Sequence, residues 1–269
     1  MICSHMIEAQ PRQFGAVNWL GAWTLYVKEV QRFLKVPLQT IVAPVIAAVL
    51  FLAVFALAFG DRVSSIQGVS YLDYIVPGLI MMAVIQNAFA NTSSSIIISK
   101  IQGNIVDVLM PPISPAELTA AYALAGATRG LMVAVIVAAA MAPIASIGLT
   151  NAFAELFFAV AASLMLSLVG LATGIWADKF DHIATVTNFI ITPLAFLSGT
   201  FYSVRDLPDI WITISQFDPF FYAIDGFRYG MLGISDSNIW VGAAVLIAVN
   251  VALWVLCHQL FVRGYKLKS

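Results

Sequence analysis

The chain has 269 residues, of which 61% are hydrophobic and 10% charged, against about 25% charged in ordinary soluble domains. A mean hydropathy of +0.93 and a net charge of −1, from 13 Lys and Arg against 14 Asp and Glu, exclude a soluble enzyme and leave no basic footprint for nucleic acid. The two cysteines, Cys3 and Cys257, lie near opposite ends, which excludes a disulfide-dense scaffold and a multi-cysteine metal site.

In chain order, residues 1–14 hold no apolar core followed by a small-residue cleavage site. No cleavable signal peptide is expected, and the first span is expected to direct the chain to the membrane. Residues 18–35 predict a helix lying on the membrane. Trp19, Trp23, Tyr26, Val30 and Phe33 recur on one face, with Lys28, Arg32 and Lys35 opposite. Rings on one side and cations on the other suit the headgroup layer of an anionic leaflet. The helix is either a plain juxtamembrane anchor or one that also touches a cytoplasmic partner. Pro37 separates it from the first span.

A helix needs roughly 20 apolar residues to cross about 30 Å of hydrocarbon. Six stretches without Asp, Glu, Lys or Arg meet that length: 36–60, 74–99, 130–154, 156–177, 182–204 and 237–262. They lack the alternation of membrane β-strands, so the predicted fold is all-α. Its spans fall at about 38–60, 74–97, 119–143, 153–177, 183–203 and 238–262, after a tail and interfacial helix over 1–37 and before a tail over 263–269. With the N-terminus inside, the inner ends collect Arg12, Lys28, Arg32, Lys35, Lys100, Arg129, Lys179, Arg263, Lys266 and Lys268. The outer ends collect Arg62, Arg205 and Arg228, and the acids Asp61, Asp73, Glu155 and Asp236 lie there too. That cation asymmetry predicts that both termini are cytoplasmic.

Two connections carry further information. Between spans two and three, a short helix holding Ile101, Ile105 and Val108 on one face is bracketed by Gly103 and by Pro111, Pro112 and Pro115. It reads as an ordinary loop or as a docking element. Ser114 or Pro115 starts the next helix, with Glu117 in its first turn. Between spans five and six, residues 204–236 are too polar for a span and too aromatic for a free loop. Asp218–Pro219 is a helix start, and Trp211, Phe217, Phe220, Phe221, Tyr222, Phe227 and Tyr229 predict short helices re-entering the outer leaflet. Asp225 and Arg228, three apart, are expected to neutralise each other. The segment is a structural lid or an outer gate.

Within span two, Asn87, Asn91, Ser94 and Ser95 share a face, with Gln86 and Ser93 on another. Span five holds Thr185, Thr187, Asn188 and Thr192, with Pro193 as a kink. Such groups bond between helices or face a polar path. No acid is expected at mid-membrane, which disfavours ion-coupled transport. Metal-ligand, nucleophile-elbow and phosphate-loop motifs are missing from the sequence.

The run YIVPGLIMMAVIQNAFAN (74–91), NIVDVLMPPISP (104–115), TRGL (128–131), FDHIATVTNFIITPLAFLSGTFYSVRDLP (180–208), DPFFYAIDGFRYGMLGI (218–234) and the terminal RGYKLKS resemble the membrane subunits of type-2 ABC exporters, and among them the YadH-type permeases of bacteria. One departure is Asp218, where such permeases usually carry Asn. The resemblance implies a multi-pass bacterial inner-membrane protein that pairs with a second membrane subunit, as a homodimer, and with two copies of a cytoplasmic ATPase. This chain would bind no cofactor itself, with ATP and Mg in the partner. It implies a coupling helix over 100–112, with Ile101, Asn104, Ile105, Asp107, Val108 and Leu109 docking on the ATPase beside Lys28 and Arg32 of the connecting helix. Asn87, Asn91, Ser94, Ser95, Asn188 and Thr192 would line the path, and Phe220, Phe221, Asp225 and Arg228 an outer gate. The expected substrate is lipidic, amphipathic or a glycan. The alternatives are an ATP-independent channel or secondary carrier, and a membrane enzyme acting on lipids.

Overall fold

In hydrocarbon every backbone N–H and C=O must be paired within the chain, which leaves long apolar runs only the helix. The computed structural model describes residues 17–59, 65–145 and 148–267. The expectations that involve the N-terminal tail with Arg12, and Asp61, Arg62 and Lys268, lie outside the described residues. Helix α1 (Trp19–Leu34) precedes the first span, which opens with a π-helical turn (Leu38–Val42) and continues as α2 (Ala43–Phe59). A two-residue hairpin, β1 (Ser65–Ile66) against β2 (Val69–Ser70), turns on Gln67 and Gly68 with φ of 50° and 82°, the conformation of a tight hairpin turn. Then follow α3 (Tyr71–Ile101), α4 (Ile105–Leu109), α5 (Pro115–Met141) and α6 (Ala152–Trp176). The fifth span runs from α7 (Phe180–Val186) through a π-turn (Thr187–Ile191) to α8 (Thr192–Leu197). Two short helices, α9 (Asp209–Gln216) and α10 (Pro219–Leu232), lead to α11 (Ile239–Arg263). Among the described residues, six helices are long and apolar enough to cross a membrane.

Both π-turns sit just before a proline, Pro44 and Pro193. In α-helical register a proline lacks the N–H for the carbonyl four residues back, and its ring strikes that carbonyl. Widening the preceding turn relieves the clash: Ala43 N–H donates to Leu38 O, and Thr192 N–H to Thr187 O, five residues back.

The spans are not equal. In the most apolar stretch of α3, 83% of residues are buried, against 11% for the first span, for the fifth and for α11. Helix α3 is therefore the centre, packed against α6, α5, α10 and α2. Small residues let it come close. Gly170 and Gly174 of α6 press on the backbone of Phe89 and Ser93, and Gly126 and Gly130 of α5 press on Ser167 and Ser163 of α6. A hydroxyl chain crosses the same contact. Thr92 Oγ1 donates to Ser167 O at 2.7 Å, and Ser167 Oγ to Tyr122 O at 3.3 Å.

A Cβ added at Gly170 would collide with both Phe89 O and Thr92 Oγ1. Gly170→Ala is expected to destabilise the chain by about 1–3 kcal/mol, the usual range for overpacking. Thermal unfolding in maltoside micelles checks this, and a midpoint equal to wild type would show that α6 can slide off α3.

Candidate functional site

The end of the bundle that carries α1 and α4 is built on one carboxylate. Ser114 and Glu117 form a reciprocal capping box at the start of α5. Glu117 Oε2 accepts from Ser114 N at 2.7 Å while Oε1 accepts from Asn18 N at 2.6 Å. Asn18 also donates through Nδ2 to Pro112 O and caps α1 by accepting from Gly21 N. The entry to α1, the exit from α4 and the start of α5 thus share one hydrogen-bonded knot.

This geometry corrects two expectations. The apolar pair of α4, Ile105 and Val108, is buried against Leu25, Leu118 and Tyr122 of the same chain. The helix uses that stripe as its anchor, so what faces outward is the other side: Ile101, Asn104, Val106, Asp107 and Met110, the last 77% exposed. Leu109 lies between the two faces. In α1 the buried stripe is Leu25, Glu29 and Phe33, while Trp19, Leu20 and Trp23 point outward beside exposed Lys28. Arg32 does not share the outer face with Lys28. It turns into the bundle, pairs with Glu29 at 3.0 Å, and donates to Asn91 O at 2.6 Å, Asn91 Oδ1 at 3.1 Å and Ser94 Oγ at 3.3 Å. Burial of Glu29, only 1% exposed, draws the cation inward because an unpaired interior carboxylate is costly.

Of the polar residues singled out in span two, Asn91 and Ser95 are therefore enclosed within the chain. Asn87 is buried too, yet borders a groove of about 340 Å³ between α2, α3 and α5, with Gln39, Gln86, Ala90 and Arg129 beside it. In span five Asn188 is exposed on the outside of the single chain and Thr192 half-buried.

Arg129 is the main residue that sequence reasoning misplaced. Charge-free runs set it at the inner end of span three. The helix in fact begins at Pro115, so Arg129 sits at the middle of 27 residues, 7% exposed, and about 20 Å from either end at 1.5 Å per residue. An arginine at such depth costs about 2.5–3.5 kcal/mol on insertion scales. Its Nη2 donates to Asn87 Oδ1 at 3.0 Å, while its buried Nε has no partner.

At the opposite end, Phe220 and Phe221 are buried in the core. The expected Asp225–Arg228 pair does not form. Asp225 accepts from the Asp236 and Ser237 backbone N–H groups and the Ser237 hydroxyl. Arg228 lies 4.1 Å from the centre of the Tyr74 ring and donates to Gly199 O. The loop carbonyl and ring of neighbouring elements reach Arg228, and the 235–237 backbone reaches Asp225. Asp236, which the sequence places at an outer end without a bonding role, ties this region together. It accepts from Gln67 Nε2 at 2.6 Å, Ser203 Oγ at 2.8 Å and Val204 N at 2.9 Å. Helix α9 turns Ile210, Trp211 and Ile214 outward, and Phe217 just past its end is exposed too.

Asp218 caps α10 by accepting from Phe220 N at 2.9 Å and from Ser198 Oγ at 2.7 Å. Burial pushes its carboxyl up from 3.8 to about 6, against the lowering effect of those two donors. Between these values the folded chain holds a proton that the unfolded chain has released, so stability falls as pH rises through that window. Asp218→Asn keeps the cap and removes the titration. The variant is expected to melt higher at pH 7 and to show a flatter melting profile between pH 3.8 and about 6. An unchanged profile would mean that Asp218 is not the titrating group.

The ABC-2 type transporter family model matches residues 21–232. The inner membrane transport permease YadH of Escherichia coli (strain K12) is 38% identical over 251 residues, 93% of this chain and 98% of the relative. Nodulation protein J of Rhizobium leguminosarum bv. viciae is 24% identical over 86% of this chain and 89% of its own length. The same-named protein of Rhizobium meliloti (strain 1021) is 22% identical over 86% and 88%. With six helices among the described residues long and apolar enough to cross a membrane, the chain belongs to the ABC-2 type transporter family and is a membrane transport subunit, not an enzyme.

Proposed function

We propose that the chain forms the translocation path of an ATP-driven exporter in the bacterial inner membrane. It acts as a pair of identical membrane subunits with two cytoplasmic ATPase subunits, which hold the ATP and Mg. The observation that carries this reading is α4, a five-residue helix fixed by its own apolar stripe and by the Glu117 knot, with Val106, Asp107 and Met110 left outside. A connection between two spans needs no such rigid bracket. A helix through which a partner's movement reaches α1 and α5 does.

Orientation supports the same reading. The end with α1 and α4 carries Lys28, Arg32, Lys35, Lys100, Lys179, Arg263 and Lys266, and the other end carries Arg205 and Arg228. Cytoplasmic ends collect such cations, so both termini are cytoplasmic and α4 faces the ATPase. Closure of the ATPase pair would press on α4, and through Pro112, Asn18 and Glu117 would move α1 and α5 together. The YadH relative is named an inner membrane transport permease, which supports the location. The cargo is lipidic, amphipathic or a glycan.

Two copies are supported by the first and fifth spans. They touch through Phe51 and Phe196, and Phe201, just past the fifth span, packs on both and on Phe55, yet most of the surface of the two spans is unburied in one chain. Exposed Asn188 on span five is an amide that lipid cannot satisfy, and a second copy or the path between copies gives it a place.

The test is purification of the tagged chain from its native membranes in gentle detergent. A soluble ATPase is expected in a one-to-one ratio. Asp107→Lys, at an exposed position, is expected to lower transport about tenfold, the equivalent of about 1.4 kcal/mol of docking energy. A chain that purifies alone and moves solutes in liposomes without ATP overturns the proposal, and unchanged transport in the Asp107 variant removes α4 from the coupling.

A further inference from the structure

Two guanidinium groups meet the same stripe of α3, one helical turn apart, and the chain treats them differently. Arg32 bonds Asn91 and has Glu29 as its carboxylate. Arg129 bonds Asn87 and has none: the ion pairs among the described residues are Glu29–Arg32, Asp178–Lys100, Asp236–Arg205 and Asp178–Lys266. The Arg129 side chain is more than nine-tenths buried, its Nε is unpartnered, and it borders the α2–α3–α5 groove. An interhelical bond to Asn87 needs only a neutral donor such as Gln. A permanent positive charge is needed where a negative one arrives.

The groove tells what carries that negative charge. Toward the α1 end and the middle of the bundle its lining includes Gln39, Gln86, Asn87 and Arg129; farther along α2 and α3 it is Ala47, Phe51, Leu79 and Met82. Polar donors at one end and apolar walls beyond match a molecule with an anionic head and a hydrocarbon tail. We propose that Arg129, with Asn87 and Gln86, binds the phosphate or carboxylate head of an anionic amphiphile that enters the groove from the membrane. That this amphiphile is cargo rests on the transport function proposed above; its binding does not.

Native mass spectrometry of the full chain, released from a neutral detergent with equimolar dioleoyl phosphatidylglycerol and dioleoyl phosphatidylcholine, tests the site. Wild type is expected to retain the anionic lipid about tenfold over the zwitterionic one, the equivalent of about 1.4 kcal/mol. Arg129→Gln is expected to bring the ratio to about one. Asn87→Asp, which keeps the arginine and the shape but supplies a carboxylate at bonding distance, is expected to do the same by internal neutralisation; it decides the matter if the Arg129 variant fails to fold. An equal ratio in wild type, or a preference that survives Asn87→Asp, overturns the inference. So does displacement of the lipid by equimolar inorganic phosphate, which would make this a site for free anions. A dimer that falls apart in the Arg129 variant with its lipid ratio intact would assign the guanidinium to the second copy. A wild-type chain that carries an ATPase but shows no headgroup preference removes this inference alone, while a clear preference in a chain without an ATPase removes the transport reading alone.

Discussion

The structure depends on how α3 can be buried on nearly every side in a medium that offers no hydrogen bonds. A helix satisfies its own backbone, and Asn87, Ser93 and Ser94 of α3 bond back to its carbonyls, but Thr92 takes its partner from another helix, which must come within about 3 Å. Glycine at Gly126, Gly130, Gly170 and Gly174 provides the approach, and the hydroxyl chain from Thr92 through Ser167 to Tyr122 uses it. Hydrophobic force contributes little between helices already in hydrocarbon. Close contact and satisfied polar groups therefore decide which helices surround α3, and α5, α6 and α10 take those places. The first span, the fifth and α11 are left at the rim.

From that centre the two ends of the bundle are organised by buried carboxylates. At one end Glu117 joins Asn18 to Ser114, and Glu29 turns Arg32 inward onto Asn91. At the other, Asp225 and Asp236 hold the 235–237 loop, Ser203 and Gln67. The acids bind mostly backbone N–H groups and hydroxyls, because these lie where chain reversals leave donors unpaired. The hydrogen-bonded knots lie at the two ends: α4 is tied to α5 through bonds of 2.6–3.0 Å, whereas the first and fifth spans meet their neighbours mainly through rings and aliphatic contacts.

The helical class, the six apolar helices, the helix before the first of them and the short helices before α11 were legible because each follows from hydropathy and proline placement over long stretches. Faces were less so. In α4 and α1 the apolar stripes were visible, but periodicity does not say whether a stripe meets the same chain, lipid or a partner. Ile105 and Val108 went inward, and Trp19 and Trp23 stayed outside. Arg32 was grouped with Lys28 by helical spacing, yet one buried acid three residues away outweighed that spacing. Asp225 and Arg228 were paired by the same rule and parted because the nearby loop and the Tyr74 ring offered each a better-placed partner. Arg129 was misplaced by letting the absence of charge define a span. The signal to correct it was present: Ser114, Pro115 and Glu117 mark a helix start, and counting on from there puts the arginine in the middle.

That arginine also explains why the loosely held first span matters. Helix α2 closes one side of the groove with alanines and Pro44, has few other neighbours, and takes no part in the α3–α5–α6 contact. A charge that lacks a carboxylate is a poor structural bond but a good sensor, because the free energy of an arriving anion is available to draw the groove walls together. Asn87 holds the guanidinium from the side of α3, the most buried of the spans. An anion bound as proposed would meet that donor on α5, and a shift of the groove walls would fall on the first span, whose outer surface is bare and which the proposed second copy would touch.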